Sequence, residues 1–406
     1  MNRVVILLIS LVLSVRLLAQ PDAKRALIPL KIKGSVIAAS QLQPLINSIG
    51  DQKIVGLGEG THGTKEFNEL RINIIKQLVE KKGFRIICFE NAFGDCYYFD
   101  QWINSDKPID EGMKKYLIAL WQTRELEGLF EWVRNFNKHH ADKVMIAGMD
   151  FNYIGSTAGI IHEEARQLNN ASMIQLAQQL CFAAQAFDSA WNNQMKGISR
   201  KTFALIRNSI HTNLHQIDSM VKADRLPVTE TCKRALFNGR CWLGGEEKRD
   251  SGMANMAVNI AQNGKTVLWA HAVHLALKSP FSDNTVGGCG GLIKKMVPAY
   301  YSLGMGTAEG SYGGLEDRFD TRLNVMHAYE LPAVTKPSWD EFFLQYNIPA
   351  FYMDMHKAAT DSTPRPLRLI GYGPPKSISY SDEVNCSDLF DGYIFIKHTT
   401  APEYIP

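Results

Sequence analysis

The chain has 406 residues, of which 45% are hydrophobic and 10% are aromatic, and its 44 Lys and Arg residues nearly balance 41 Asp and Glu residues. This near balance excludes an obligate nucleic-acid-binding protein, which concentrates positive charge to neutralise phosphates. The apolar fraction excludes a disordered or low-complexity chain. We therefore expect a folded globular protein that binds no nucleic acid.

The first predicted element is an export signal over residues 1–20. It has a basic start at Arg3, an apolar run from Val4 and a small residue at Ala19. This run is too short to cross a membrane comfortably, and polar sequence follows it; an uncleaved N-terminal anchor is the alternative. No later stretch approaches the ~18 apolar residues of a membrane span. We expect an exported protein, periplasmic or extracellular, with no stable membrane insertion after the signal is removed.

The chain then alternates buried strands with amphipathic helices. Residues 53–58 predict a strand, and apolar residues at helical spacing predict a helix over 65–82 that ends at Gly83. A second strand over 84–89 completes a βαβ unit, in which the two strands are parallel. Further strands are predicted over residues 143–149, 265–270, 299–304 and 392–397, and a further helix over residues 125–137.

The pattern changes between residues 161 and 247, where the strand signal disappears and long amphipathic runs predict a helical insertion. The flanking parts, 21–160 and 248–406, are predicted to form one α/β unit with a mostly parallel sheet flanked by helices. From about residue 307 the chain is richer in Gly, Pro and short segments, which indicates a smaller C-terminal α+β part.

Polar residues stand at the ends of four of these strands. They are Glu59, Glu90, Asp150 and His271. Open parallel sheets bind ligands beyond the carboxyl ends of their strands, and these ends meet at one edge. We therefore expect an active-site cleft at this edge, for a small-molecule substrate.

The first strand end places Glu59 and His62 on a glycine-rich turn. Histidine titrates near neutrality and a neighbouring carboxylate orients its ring, so His62 is the candidate general base; a turn histidine bonded to backbone is the alternative. Arg71 lies on the sheet-facing side of the next helix and needs a carboxylate partner, either Glu59 or Glu90. This ion pair either stabilises the scaffold or takes part in the reaction. In the second case the guanidinium of Arg71 would clamp a carbonyl or an oxyanion.

The same turn matches G-x-G-x-x-G through Gly58, Gly60 and Gly63, with Glu90 at the end of the next strand. This context also fits a nicotinamide cofactor and an NAD-binding oxidoreductase. However, Glu59 would place a negative charge where a pyrophosphate needs bare backbone donors. We therefore expect no cofactor and keep the dinucleotide hypothesis as a minor alternative.

A second pair of histidines, His271 and His274, follows the strand over 265–270. Consecutive side chains of a strand face opposite ways, so both rings line one pocket only if the chain turns after His271. Upstream, Asp250 and Ser251 stand at a predicted helix start, where N-capping is the expected role for both.

Signatures of other hydrolases are missing from the sequence, including G-x-S-x-G, H-E-x-x-H and Walker A. Without an obvious serine or cysteine nucleophile, a general base acting on water is the leading mechanism. The seven cysteines form no C-x-x-C pair. Cys232 and Cys241 are the nearest candidates for a local disulfide, and Cys88 and Cys289 are expected to be inert.

Taken together, these segments resemble the erythromycin esterase family. The matching segments are GEGTHGTKEFNELR at 58–71, FEN ending the next strand, GMD at 148–150, RDSGMAN at 249–255, WAHAVH at 269–274 and FDGYIFI near the end. The resemblance runs in order from about residue 50 to residue 397. It implies an α/β core with a helical insertion, and hydrolysis of a macrolide lactone by activated water without a bound metal.

The resemblance also carries site roles over to six residues. They are the proposed general base His62, the essential carboxylates Glu59 and Glu90, the motif arginine Arg71, and the pair His271 and His274, which would position water and stabilise the tetrahedral intermediate. One departure concerns Ala272, where the family usually has asparagine. The lost amide would weaken oxyanion stabilisation or mark a different substrate.

Three functions remain open on this basis. The first is a metal-independent ester or lactone hydrolase that acts on a macrolide or a related ester. The second is a metallohydrolase in the same cleft, because zinc and manganese bind histidine and carboxylate clusters. Its ligands would be Glu59, His62, Glu90, His271 and His274. The third is a non-catalytic carbohydrate-binding or polysaccharide-assembly protein, since the resemblance extends to proteins labelled for succinoglycan biosynthesis.

Overall fold

A computed structural model of the chain describes residues 26–223, 225–245, 248–284, 286–316, 325–357 and 363–406. The predicted export signal over residues 1–20 lies outside the described residues. Within the described ranges, no helix is both long enough and apolar enough to cross a membrane.

Most strands of the central sheet lie where the sequence has short apolar runs without helical spacing. In the described part of the chain they are β1 (Leu27–Pro29), β2 (Ile32–Lys33), β3 (Val36–Ile37), β4 (Ile54–Glu59), β5 (Ile86–Ala92), β6 (Met145–Asp150), β7 (Thr266–His271), β8 (Tyr300–Leu315), β9 (Met326–Glu330), β10 (Ala350–Asp354), β11 (Arg368–Leu369), β12 (Ser379–Tyr380) and β13 (Gly392–Thr399). Every residue of β4 and β7 is buried, as expected for strands that are covered on both faces.

The helices lie where apolar residues recur every three or four positions. Among the described residues they are α1 (Gln43–Ile49), α2 (Lys65–Lys82), α3 (Phe93–Ile103), α4 (Ile109–Tyr116), α5 (Arg124–His139), α6 (Gly155–Gln167), α7 (Ala171–Asn192), α8 (Arg200–Ala223), α9 (Glu230–Leu243), α10 (Arg249–Ile260), α11 (Ala272–Leu275), α12 (Cys289–Met296), α13 (Trp339–Leu344) and α14 (Cys386–Leu389). Helix α2 ends as predicted at Gly83, whose φ of 71° is the left-handed conformation that glycine adopts without strain.

Six parallel strands form the centre of one sheet, in the spatial order β13, β8, β4, β7, β5 and β6. Antiparallel strands β10 and β1 extend the sheet beyond β13, and β9 pairs with β8. The prediction of an α/β fold with a mostly parallel sheet flanked by helices is therefore confirmed. In the register of β4 and β7, Glu59 lies beside His271.

Side chains of the central strands alternate between two apolar layers. In β7, Val267 and Trp269 pack against α2 and α5, whereas Leu268 and Ala270 pack against the helices that lie between β6 and β7. Because side chains alternate with a period of two, His271 projects on the same side as Trp269. The side chains at the ends of β4 and β7, Glu59 and His271, therefore project toward the side of the sheet that α2 covers.

Between β6 and β7 the described residues form helices α6 to α10 and no strand. Their apolar residues form one cluster with the sheet, so this region packs on the same core as the strands. The predicted boundaries of the helical insertion, 161 and 247, stay a prediction.

The C-terminal part of the chain is continuous with the central sheet. Strand β8, predicted only over residues 299–304, continues to Leu315 because its second half pairs with β9 and with the end of β13. Strands β10 and β13 belong to the same sheet as β4. The short strands β11 and β12 form a separate antiparallel pair.

Residues that follow β13 connect the first turns of helices α2 and α5 by hydrogen bonds. At the start of α2, the backbone N–H of Lys65 donates to the Thr400 carbonyl, and Thr400 donates through its N–H and hydroxyl to the Glu66 carboxylate. At the start of α5, the N–H of Arg124 donates to the carbonyl of Glu403. The segment after β13 therefore joins α2 to α5.

The candidate disulfide between Cys232 and Cys241 does not form, and both thiols are free. Both residues lie on α9, nine positions apart, which places their Cα atoms about 13 Å apart, beyond the ~7 Å that a disulfide can bridge. Burial raises the pKa of the Cys88 and Cys289 thiols above the usual range. Such thiols are poor nucleophiles, as the sequence predicted.

Candidate active site

The turn after β4 brings a carboxylate and a histidine into direct contact. Glu59 Oε1 lies 2.8 Å from His62 Nδ1, and both residues are buried. We assign the ring proton to Nδ1, because the carboxylate can only accept, which leaves Nε2 as the basic nitrogen. His62 lines a cleft at the carboxyl edge of the sheet. It is therefore placed to take a proton from a molecule bound there.

Neighbouring segments hold the backbone of this turn from several sides. The N–H of Gly60 donates to Met305, and the N–H of His62 donates to Ile370. Gly63 has a φ of 64°, and a Cβ at this position would lie 2.2 Å from the carbonyl oxygen of Gly313. Glycine is therefore required here by backbone conformation and by close packing.

The dinucleotide hypothesis does not fit this geometry. The N–H of Lys65, at the start of α2, already donates to Thr400, and Glu66 adds a carboxylate to the first helical turn. A pyrophosphate needs free backbone donors and no negative charge at such a helix start. The glycines of the motif serve the packing of the turn.

Arg71 lies behind Glu59. Its Nη2 atom donates to Glu59 Oε2 at 2.6 Å and to Asn68 Oδ1 at 2.8 Å, and the guanidinium stacks 3.7 Å from the centre of the Trp269 ring. Burial lowers the pKa of Arg71 to about 10, against the opposing effect of Glu59. Arg71 is fully buried and does not line the cleft. Glu59 is thus its carboxylate partner, and the expectation that Arg71 clamps an oxyanion finds no support in this geometry.

Glu90 is the centre of a second charge cluster. Its Oε1 atom accepts from Arg249 Nη2 at 2.9 Å and lies 3.3 Å from His274 Nε2, while Oε2 accepts from the backbone N–H of His271 at 2.9 Å. Burial raises the pKa of Glu90, but the positive charges of His274 and Arg249 outweigh it and hold the pKa well below its usual range. Glu90 is therefore ionised.

His274 lies between two carboxylates. Its Nδ1 atom donates to Asp250 Oδ1 at 2.7 Å, and its Nε2 atom faces Glu90. Burial lowers the pKa of His274, but Glu90 and Asp250 together raise it to about 10. The ring is therefore protonated at neutral pH.

The N-capping role predicted for Asp250 and Ser251 is wrong. Lys248 occupies the N-cap position of α10, without a capping side-chain bond. Asp250 lies in the first helical turn, where it accepts from His274 and from the backbone N–H of Gly287, while the Ser251 hydroxyl donates to the Lys248 carbonyl. The contact with His274 links positions that are 24 residues apart and leaves no local sequence pattern.

His271 is a neutral ring that packs against the base. Its Nδ1 atom accepts from the N–H of Val273, so Nε2 carries the proton and donates to the Ile370 carbonyl at 3.2 Å. Burial, and then the nearby His62, lower the pKa of His271 well below its usual range. The ring centres of His62 and His271 are 4.6 Å apart. The chain does turn after His271, into α11, and both His271 and His274 line the cleft.

Arg249 is a site residue that the sequence analysis missed. Its Nε atom donates to Asp150 Oδ1 at 3.2 Å, and its Nη2 atom bridges Asp150 and Glu90. These partners lie 99 and 159 residues away in the chain. One local signal exists: Arg249 begins α10, where the helix dipole disfavours a positive charge.

Ala272, the departure from the family pattern, lies outside the cleft lining. It is buried in an apolar cluster that also contains Ala276 and Trp339. Its Cα atom would lie 2.8 Å from a Cβ at Gly58, so the two backbones are in close contact. An asparagine amide at position 272 would therefore lie among apolar side chains.

The cleft has a volume of about 480 Å³, and aromatic side chains form part of its wall. That wall includes Trp121, Tyr153, Trp191, Phe281 and Tyr372. Apolar walls with a few convergent polar groups are typical of small-molecule sites. Because Trp191 belongs to α7, helices from the middle of the chain help to shape the cleft.

All six residues predicted from the sequence lie close together. His62, Glu90, His271 and His274 line the cleft, and Glu59 and Arg71 lie behind His62. In the ranges that the structure describes, no group of three or more His, Cys, Asp or Glu side chains has an arrangement that could hold a metal ion. Whether these six residues carry the reaction stays a prediction.

Comparison with known proteins adds a family match. A model of the family described as erythromycin esterase matches residues 79–399, about four fifths of the chain. The matched part begins after Glu59, His62 and Arg71 and includes Glu90, Arg249 and the later histidines.

Two curated relatives match over shorter segments. The chain is 32% identical over 123 residues to erythromycin esterase type II of Escherichia coli, a match that covers 30% of this chain and 29% of that protein. It is 27% identical over 112 residues to erythromycin esterase type I of Escherichia coli, which covers 27% of each chain. The matched segments thus span less than a third of either relative.

Two solved structures match over nearly the whole chain. A succinoglycan biosynthesis protein superposes with a TM-score of 0.79 at 20% identity, covering 97% of this chain and 99% of that chain. An erythromycin esterase mutant, EreC, in its open conformation superposes with a TM-score of 0.70 at 15% identity, covering 93% and 98%. At these identities the likeness shows a shared fold.

Proposed function

Because this chain belongs to the erythromycin esterase family, we propose that it hydrolyses carboxylic esters or lactones with a water molecule activated by His62. Family membership supports a hydrolase of the esterase type. The observation that carries the proposal is the series of contacts from Arg71 through Glu59 to His62, which ends at the cleft.

In the proposed first step, His62 Nε2 takes a proton from water. The Glu59 carboxylate stabilises the imidazolium that forms and fixes the ring orientation, while Arg71 holds Glu59 in place. The water oxygen bonds to the ester carbonyl carbon, and the carbonyl π electrons move onto its oxygen. The result is a tetrahedral intermediate with one negative oxygen.

In the proposed second step, the electron pair returns and the bond to the alkoxide breaks. The proton held by His62 passes to the leaving oxygen, which restores the neutral base. The products are a carboxylic acid and an alcohol, or one hydroxy acid from a lactone. The net change is the addition of one water molecule.

The cleft favours a substrate with a bulky apolar body. Its aromatic side chains offer flat apolar surfaces, and its charged groups are confined to the region around Glu90. A macrolide lactone is one such substrate, and the names of the Escherichia coli relatives support testing it first. Other apolar esters of similar size belong in the same panel.

The test is mass spectrometry of a panel of macrolides, simpler lactones and esters after incubation with the protein. We expect at least one substrate to gain the mass of one water. In the variant His62→Asn, turnover should fall by about 10²–10⁴, the usual contribution of a general base. The matched control is His211→Asn, because His211 is exposed on α8 and its loss should leave turnover unchanged.

Three outcomes would contradict the proposal. Undiminished turnover in a folded His62→Asn variant removes the proposed base. Turnover that is lost on chelation and regained with zinc or manganese favours the metallohydrolase hypothesis. Saccharide binding without turnover of any ester favours the non-catalytic hypothesis.

A further inference from the structure

We propose that Arg368 is a positioning residue, which holds the carbonyl of Ile370 in contact with two histidines of the active site. This inference rests on the proposed ester hydrolysis and extends it to a residue that does not line the cleft. Arg368 acts on the histidines through Ile370 and takes no part in the chemical step itself.

The backbone of Ile370 contacts both histidine-bearing segments. Its carbonyl oxygen accepts from the N–H of His62 at 2.9 Å and from His271 Nε2 at 3.2 Å. Its N–H donates to the carbonyl of Gly60 at 2.8 Å. Three hydrogen bonds thus connect residue 370 to the turn after β4 and to the end of β7. A shift of this residue would move the proposed base and also the ring that packs against it.

The segment that carries Ile370 is not a strand of the central sheet. Strand β11, which ends directly before it, pairs with β12 in a separate sheet. Two hydrogen bonds connect this segment to β8. Arg368 Nη2 donates to the carbonyl of Thr307, and the carbonyl of Tyr372 accepts from the N–H of Leu315. These contacts lie two residues before and two residues after Ile370, so they fix its position relative to the sheet.

Arg368 is buried and is held through both its side chain and its backbone. Its Nη1 atom donates to the carbonyl of Pro332 at 2.9 Å, and its backbone N–H donates to Asp340 Oδ2 at 3.1 Å. Burial raises the pKa of Asp340 to about 6, and the charge of Arg368 opposes this rise. The carboxylate is therefore ionised at neutral pH and attracts the guanidinium. A residue fixed at these points also fixes the direction of the chain that follows it.

The shape of the guanidinium suits this role. A planar guanidinium directs several N–H groups at fixed angles, so one Arg368 side chain bonds to the carbonyls of Thr307 and Pro332 together. A general base needs accurate placement, and a displacement of about 1 Å can lower a rate by about 10². Because Arg368 does not line the cleft, its loss should affect kcat more than KM.

The test measures ester turnover and hydrogen exchange in Arg368→Met. We expect kcat to fall by about 10–10² with little change in KM. The backbone amides of residues 59–63 should exchange faster, because the N–H of His62 depends on the Ile370 carbonyl. Arg368→Lys keeps one charged donor near the two carbonyls and should recover part of kcat.

The matched control is Arg134→Met. Arg134 is a partly buried arginine that also donates to two backbone carbonyls, those of Ile103 and Lys107, but it lies away from the cleft. This variant should keep the wild-type kcat and the wild-type exchange of residues 59–63. Faster exchange throughout the sheet in Arg368→Met, with no recovery in Arg368→Lys, would assign Arg368 a structural role and overturn the inference.

A second variant keeps the test decisive if Arg368→Met does not fold because Asp340 loses its counter-charge. Combining Arg368→Met with Asp340→Asn removes both buried charges, and the asparagine oxygen can still accept from the N–H of residue 368. This double variant should fold, and its kcat should remain low.

The outcomes separate this inference from the proposed function. Wild-type kcat together with wild-type exchange of residues 59–63 in a folded variant without Arg368 would overturn the inference, while ester hydrolysis stands. Absence of ester turnover in the wild-type protein would overturn the proposed function. The exchange rates would then still decide whether Arg368 holds the turn that carries His62.

Discussion

Two histidines that line the cleft, His62 and His274, each contact a carboxylate through Nδ1, and the surroundings of these two contacts differ. Glu59 and His62 are three residues apart, and Arg71 balances the carboxylate from behind. Asp250 and His274 are 24 residues apart, and the second nitrogen of the His274 ring meets another carboxylate. The same two chemical groups thus form a candidate base in one place and a ring that is protonated at neutral pH in the other.

The difference shows that the charged group next to each carboxylate–histidine pair, Arg71 in one case and Glu90 in the other, determines the role that the histidine can take. At the first contact Arg71 donates to the carboxylate and balances its charge, and among the described residues Glu59 is the one carboxylate within hydrogen-bond distance of the His62 ring. A second carboxylate beside the ring of His274 stabilises the imidazolium instead. Changing this charged group, or the carboxylate itself, should therefore have different consequences at the two contacts.

The largest expected effect comes from Glu59→Gln. A glutamine amide can donate to His62 Nδ1, which moves the ring proton to Nε2 and removes the basic nitrogen, so turnover should fall by about 10²–10⁴. Arg71 would be left buried without a negative partner, at a cost of about 3–5 kcal/mol in the free energy of unfolding. Steady-state kinetics and urea denaturation measure the two losses.

The matched control is Asp250→Asn at the other contact. Asp250 is 16% exposed in its side chain, and His274 keeps Glu90 as a partner, so the loss of unfolding free energy should be smaller. Combining Glu59→Gln with Arg71→Met should restore much of the stability without restoring turnover. Equal losses at the two contacts would contradict the contrast drawn between them.

A smaller effect is expected in the pH dependence of stability. The pKa of His274 is about 10 in the folded protein and close to 6.5 when unfolded. Below pH 6.5 both states are protonated and the stabilisation is complete; as the pH rises toward 10, the unfolded state loses its proton first. The free energy of unfolding should therefore decrease over this range, by an amount on the order of a few kcal/mol.

The variant His274→Gln isolates this contribution. Urea denaturation at several pH values between 6.5 and 10 should give a shallower decrease than in the wild-type protein. His211→Gln, at an exposed position, should keep the wild-type slope. If the slopes of all three proteins coincide, His274 is not held protonated by its carboxylates.

The smallest effect is expected for Ala272→Asn. Ala272 follows His271 in the chain and packs against Gly58, the neighbour of Glu59. Because Ala272 packs against Gly58 in an apolar cluster, the amide should cost about 1–3 kcal/mol of unfolding free energy and leave kcat nearly unchanged. Thermal denaturation and steady-state kinetics check both values, with Ala272→Ser as a smaller polar control. A gain in kcat would mean that the side chain at 272 reaches the cleft.

The parts of the site that the sequence predicts are those that depend on neighbours in the chain. Glu59 and His62 lie on one turn, and the helical spacing of α2 directs Arg71 toward the sheet. The parallel strands bring Glu90 and His271 to one edge, which a βαβ pattern indicates from apolar runs alone.

The parts that the sequence does not predict depend on long-range contacts. Local preference gives Asp250 a capping role, but its carboxylate contacts a histidine from another segment. Arg249 gains its partners from β5 and β6, and the extension of β8 depends on pairing with β9. In each case tertiary contacts override a local tendency, which a pattern of neighbouring residues cannot show.

The bond between Glu66 and Thr400 joins positions 334 residues apart, and it has a consequence for biosynthesis. Ribosomes add about 5–20 residues per second, so tens of seconds separate the synthesis of these two residues. During that interval the start of α2 lacks its partner, and the turn that carries His62 also lacks Gly313 and Ile370. The nascent chain should therefore position its base only after Thr400 has been synthesised, and a message truncated before codon 370 should yield an inert product.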